Sequence, residues 1–225
     1  MIHPNMATML AFVTSDVAIS KDMLNEVIHE VVDDTFNMVS VDGDTSTNDM
    51  LTLMCNGLAQ NNEITQKDEN YQCFKKALMY ICTCLSQAIA KDGEGATKLL
   101  TCSVLHAKTK KDAKIVAKSV ITSSLLKAAM FGEDANWGRI LCAIGYSDAD
   151  YDIQKIDVDF KSKKGKICVC QNGGGYPFSE EEAAQILSED EIEIIIDLHD
   201  GDDQATAWGC DLTYDYVKIN GDYRT

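Results

Sequence analysis

At 225 residues the chain is long enough to bury a sizeable core as one large domain or two small ones, and 45% hydrophobic and 25% charged residues are ordinary for a soluble globular protein. A net charge of −16 argues against nucleic-acid binding, which calls for a basic face. No apolar run reaches membrane-spanning length and no basic-then-apolar leader opens the sequence, so no membrane is expected and the compartment is expected to be cytoplasmic.

In chain order, residues 8–17 read as a strand, and Ser20 can cap a helix carrying Leu24, Ile28 and Val31 along one face. A polar loop over 40–49 leads into the apolar run 50–55, expected to be a buried strand. Residues 70–90 predict a long helix whose stripe is Phe74, Leu78, Ile81, Leu85 and Ala88, stopped by Gly93 and Gly95. A strand over 96–107 follows. Thr109 then caps one continuous helix over 110–131, with Ala117, Ile121, Leu125 and Ala128 as its stripe and Gly132 as its stop.

From about residue 147 the pattern turns strand-rich. Ile156, Val158 and Phe160 alternate with aspartates, and residues 161–165 read as a hairpin connection. A short helix over 179–187 precedes the alternating Ile192, Ile194, Ile196 and Leu198. A last strand is expected over 205–216. Alternating strands and helices with a strand-rich end define an α/β class with layered sheets.

Several groups invite a chemical role. Nine cysteines fall as C-x-C pairs (Cys82/Cys84, Cys168/Cys170) and single sites, without the C-x-x-C spacing of zinc; buried, reduced thiols are expected. His3, His29, His106 and His199 are scattered with no ligand spacing, so no metal site is expected. The loop from Asp42 has the oxygen residues of a calcium loop at alternate positions, but Thr47 replaces its glycine and Leu53 its final glutamate. Gly173-Gly174-Gly175 lacks a phosphate-loop lysine and reads as a turn. Trp137 reads as core, and Arg139 as a partner for a carboxylate or for substrate. The acidic runs 179–182 and 188–193 read as solvated surface.

Thr8 lies just inside the amino terminus, between Ala7 and an apolar run. A threonine with a free α-amine is a nucleophile carrying its own base, and that amine titrates near neutrality, at about 7.7–8.0. The chemistry requires a cut between Ala7 and Thr8. Glu94, between Gly93 and Gly95, reads as a polar loop residue or as one whose glycines admit a ligand close to the backbone.

The segment Pro4-Asn-Met-Ala-Thr8-Met-Leu-Ala-Phe12 resembles the self-cleavage segment of the ornithine acetyltransferase family, the bifunctional glutamate N-acetyltransferases. Four further blocks resemble the same family in the same order: residues 40–49, 91–98, 131–146 and 207–225. The resemblance runs end to end and implies an amino-terminal-nucleophile-like fold, a sandwich of β-sheets between helices. It implies that residues 1–7 end an α chain and 8–225 form the catalytic β chain. By the same resemblance, Thr8 cleaves the Ala7–Thr8 bond, takes acetyl from N-acetylornithine as an acetyl-threonine, and passes it to glutamate in arginine biosynthesis. Glu94, Asn220 and Thr225 are implied to bind substrate together with Thr8. No cofactor is implied, although acetyl-CoA serves some members as a second donor.

A full family precursor carries an α half before this point, with the Thr-Gly pair of the oxyanion hole and a substrate-binding lysine. The implied partner is therefore that α half, in an assembly of two α and two β chains. Alone, this sequence is expected to turn over weakly and to associate. The competing expectations are a related amino-terminal-nucleophile aminopeptidase and a non-catalytic partner subunit or fragment.

Overall fold

The computed structural model describes residues 9–45 and 48–222. Strand β1 (Leu10–Ser15) is followed by α1 (Lys21–Val32), β2 (Val39–Ser40) and β3 (Met50–Cys55). Helix α2 (Glu69–Lys91) leads to β4 (Leu99–Ala107), then α3 (Lys110–Thr122), α4 (Ser124–Phe131) and α5 (Trp137–Gly145). The hairpin strands β5 (Asp157–Ser162) and β6 (Gly165–Gln171) continue into β7 (Gly174–Gly175). Helix α6 (Glu180–Leu187), β8 (Glu191–Asp197), β9 (Asp203–Cys210) and α7 (Tyr214–Asp222) complete the chain.

The caps read from the sequence at Ser20 and Thr109 are made, and Ser179 caps α6 in the same way: each accepts from the backbone amide three positions on, satisfying donors that a helix start leaves unpaired. Seven strands form one mixed sheet in the order β2-β9-β4-β8-β5-β6-β7, and β1 pairs in parallel with β3 as a separate two-stranded sheet. On one face of the large sheet Leu100, Cys102 and Val104 lie in register with Ile192, Ile194 and Ile196, and beyond them with Phe160 and Val158. All eight are almost completely buried. Each such isoleucine contributes about 1.5–3 kcal/mol of apolar burial. Helix α3 covers this face so closely that a Cβ on Gly209 of β9 would stand 2.6 Å from Ile121 Cγ2.

The opposite face is polar. Glu193 accepts from Ser103 Oγ at 2.9 Å and from Lys161 Nζ at 2.8 Å. Helix α2 flanks this face, where Met79 and Thr83 line a groove with Ser103, Thr206 and Trp208. Helices on both faces of a sheet give the expected layered α/β architecture. No helix among the described residues is long and apolar enough to cross a membrane.

Five expectations are corrected. The helix over 110–131 breaks at Ser123, whose extended backbone ends α3 and whose side chain caps α4 through Leu126 N at 3.3 Å. The break advances the inward stripe by one position: Leu126 and Ala129 are buried, and Leu125 is 56% exposed. The fully buried face of α2 is Tyr71, Leu78, Cys82, Ser86 and Ala90; of the expected stripe Leu78 belongs to it, Phe74 and Leu85 pack half-buried beside it, and Ile81 and Ala88 are exposed. Strand β3 is an outer strand with Met50 and Met54 exposed, because among the described residues it pairs with β1 alone. The last strand ends at Cys210, and Tyr214 to Tyr216 of the expected strand belong to α7. The cysteines are all unpaired, but Cys73, Cys84 and Cys142 face solvent.

Candidate functional site

Topology gathers three segments along one edge of the large sheet. Strand β9 runs parallel to β2 and antiparallel to β4. The exit of β2 into the 40–49 loop, the exit of β9 into α7, and the entry to β4 from the Glu94 turn therefore lie together. The carbonyl of Met9 accepts from Met50 N at 2.7 Å, which ties the start of β1 to the far end of that same loop.

Glu94 sits in the exposed turn between α2 and β4. Its two glycines have separate reasons. A Cβ on Gly93 would stand 2.9 Å from Cys210 Sγ and 3.0 Å from Val41 Cγ1. Gly95 has φ +67, and a Cβ there would meet Tyr216 N at 2.7 Å. The turn is thus pressed against both the end of β9 and the first turn of α7. Thr213 Oγ1 donates to Gly95 O at 2.7 Å and accepts from Tyr216 N at 3.2 Å, so one hydroxyl joins turn and helix.

Asp211 fixes the other side of the turn. Its carboxylate, 3% exposed, accepts from Thr97 N at 2.8 Å, Thr97 Oγ1 at 2.5 Å and Lys98 N at 2.9 Å. Tyr216 closes the site by donating its hydroxyl to Asp42 Oδ2 at 3.2 Å. Burial, then the charges of Asp42 and Glu94, push the Tyr216 phenol up to about 12, so it stays protonated at neutral pH. Lys127, 2% exposed, donates to Val41 O, and burial pushes its ammonium below the usual lysine range. Its Nζ lies 3.9 Å from Cys210 Sγ, whose thiol burial pushes up. The result is a rim bearing the carboxyl groups of Asp42, Asp44 and Glu94, an arrangement suited to a ligand with an ammonium group.

Among the residues singled out from sequence, Ala7, Thr8 and Thr225 lie outside the described residues. Asn220 is on the exposed face of α7, donating to Tyr216 O at 3.0 Å, so its helix joins the turn that carries Glu94 through Tyr216. Arg139 differs from expectation: its Nη1 donates to the backbone carbonyl of Leu125, in the first turn of α4, at 2.9 Å. Trp137 packs half-buried over Gly175, whose missing side chain makes room for the indole. Sequence reasoning missed Lys127, Asp211 and Tyr216, and took Asp42 only as the first residue of a loop that fails as a calcium site. Asp42 and Asp211 stand inside quoted blocks but look like two more acids in an acidic chain. The histidines are not all scattered in space, since His106 and His199 stack with ring centroids 6.2 Å apart.

The sequence model of the ArgJ family matches residues 1–225. Arginine biosynthesis bifunctional protein ArgJ 1 of Clostridium acetobutylicum is 55% identical over 225 residues, which are 100% of this chain and 55% of that protein. Arginine biosynthesis bifunctional protein ArgJ of Caldanaerobacter subterraneus is 53% identical over 100% of this chain and 56% of its own length. A crystal structure of arginine biosynthesis bifunctional protein ArgJ from Bacillus halodurans matches with a TM-score of 0.91 at 45% identity, covering 96% of this chain and 100% of that one. The chain spans about half the length of the curated relatives it matches.

Proposed function

Because this chain belongs to the ArgJ family, we propose that it is the β portion of a glutamate N-acetyltransferase that moves acetyl from N-acetylornithine to glutamate in arginine biosynthesis. In this reading residues 1–7 end the α chain and 8–225 form the catalytic β region, working in the cytoplasm. One observation carries it. The 40–49 loop, the Glu94 turn and the terminal helix, all blocks that resemble the acetyltransferases, converge on one sheet edge through Asp211, Thr213 and the Tyr216–Asp42 bond. The Bacillus halodurans chain supports the division, because 96% of this chain covers it completely whereas the curated relatives are nearly twice as long.

Thr8 Oγ first attacks the Ala7 carbonyl, the Ala7–Thr8 C–N bond breaks and frees the Thr8 amine, and water then hydrolyses the resulting ester to release the Ala7 carboxylate and restore the Thr8 hydroxyl. That amine accepts the hydroxyl proton as Oγ attacks the acetyl carbonyl of N-acetylornithine; the C–N bond breaks and ornithine leaves with the proton. The amine of glutamate then attacks the acetyl-threonine ester, and N-acetylglutamate leaves. Glu94, Asn220 and Thr225 hold the substrate, with the Glu94 carboxylate facing its ammonium group. Covalent exchange of this kind uses no metal or cofactor, and acetyl-CoA as a second donor is consistent with the word bifunctional in the relatives' names.

The α half is the proposed partner, in an α2β2 assembly. The test is intact mass together with acetyl exchange, measured on the chain co-expressed with an α half. The expected result is loss of residues 1–7 and gain of one acetyl group on incubation with N-acetylornithine, both absent in Thr8→Ala. Acetylation persisting in Thr8→Ala would overturn the mechanism. Peptide hydrolysis without acetyl transfer would overturn the activity in favour of an aminopeptidase.

A further inference from the structure

At the opposite end of the strands of the large sheet, β4 and β8 run parallel and end side by side. Leu105 is in register with Asp197, and Asp157 of β5 faces Asp197 from the other side. His106 follows the first of these pairings and His199 the second. Their backbones are tied by bonds from Leu198 N to Leu105 O at 3.1 Å and from Asp200 N to His106 O at 2.8 Å. Both histidines hold left-handed backbones, with φ +51 and +47. At about 3.3 Å per residue, β4 separates this group from the Glu94 turn by roughly 25 Å.

The side chains converge on one carboxylate. His106 Nδ1 lies 2.8 Å from Asp197 Oδ2, and His199 Nδ1 lies 3.3 Å from Asp197 Oδ1. One ligand atom from each of His106, Asp197 and His199 falls within 4.8 Å of the others. Behind them, His199 Nε2 lies 2.9 Å from Asp157 Oδ2. A ring held by a carboxylate on one nitrogen presents the other nitrogen's lone pair, which is how metal-bound histidines are commonly oriented. Bonds of about 2.0–2.2 Å to nitrogen and oxygen need ligand atoms somewhat closer together than 4.8 Å, and the two histidine side chains are about half-exposed, so small rotations of the rings toward Asp197 suffice. Asp200, next in sequence, is engaged by Lys155 at 2.8 Å and is not needed as a ligand.

We propose that His106, Asp197 and His199 form a binding site for a divalent late first-row transition ion, zinc foremost, with Asp157 positioning the His199 ring. Two imidazoles and one carboxylate suit zinc, cobalt, nickel or copper far better than magnesium or calcium, which favour all-oxygen shells. Three protein ligands leave a coordination position for water. The site staples the ends of β4, β5 and β8, and it stands independently of the acetyl-transfer reading.

Cobalt(II) is the probe, titrated into the full chain and followed by visible absorption and calorimetry, because its spectrum separates imidazole from thiolate ligands. The expected result is one equivalent bound, d–d bands without a sulfur charge-transfer band, and displacement by zinc. His106→Asn and His199→Asn each lower affinity at least tenfold, and asparagine tolerates the left-handed backbone both positions hold. Asp157→Asn removes no ligand and lowers affinity about 10-fold or more. Circular dichroism confirms that each variant folds. Failure to bind, affinity unchanged from the parent in the His106 and His199 variants, or a thiolate band from exposed cysteines such as Cys73, Cys84 and Cys142 would each overturn the site.

Discussion

Asp211 shows how much of the candidate site rests on a single buried side chain. It accepts three hydrogen bonds from Thr97 and Lys98, 114 and 113 positions away in sequence. Removing it leaves the Lys98 amide, whose bond to Asp211 is buried, without its acceptor and loosens the part-buried Thr97, at about 1–3 kcal/mol for each buried group left unsatisfied. Asp211→Ala is expected to cost about 2–4 kcal/mol by urea denaturation, and to make the Glu94 turn a preferred site of proteolysis. A variant as stable as the parent, with a resistant turn, would show that Thr213 and Gly95 suffice to hold it. Glu94 stood out in the sequence because glycines flank it. Asp211 did not, because nothing within several residues of it reveals what it binds.

Among elements, the packing of α3 on β9 is the tightest contact of the sheet with its covering helices. A Cβ on Gly209 would meet Ile121 Cγ2 at 2.6 Å and Ser40 O at 2.8 Å, and the carbonyl belongs to the partner strand and cannot swing aside. Gly209→Ala is therefore expected to destabilise the protein by about 1–3 kcal/mol through overpacking, read as a lowered thermal midpoint. Gly221→Ala, where nothing lies within 4 Å, serves as the control. The same interface explains the misread stripes. Periodicity gave the long helix over 110–131, but Ser123 turns the chain, and α4 buries Lys127 and Met130 where an unbroken helix would place other faces. In α2 the inward face includes Ser86 and Cys82, which a count of large apolar residues passes over.

For the molecule as a whole, the outer face of the β1–β3 sheet is the most conspicuous surface. Leu10 and Phe12 are 64% and 59% exposed, and Met50 and Met54 lie on the same face across the pairing. Contiguous apolar exposure of this kind marks an interaction surface, and the α half proposed above is the occupant we propose for it, since about half of each curated relative's length lies outside this chain. Leu10→Lys with Phe12→Lys is expected to reduce self-association of the isolated chain in sedimentation velocity, and to weaken recovery of a co-expressed α half. Unchanged behaviour in both measurements would place the α half elsewhere.

The sequence by itself determined what is local. Caps at Ser20, Thr109 and Ser179, the alternation of β5 and β8, and the blocks that mark the family are all set by residues a few positions apart. Only the tertiary structure decided what is joined across the chain. The Tyr216–Asp42 bond spans 174 positions, and His106–Asp197 spans 91. Such pairs depend on which strand ends lie side by side. Strand order is an outcome of burying whole sheet faces at once, and no window of sequence contains that sum.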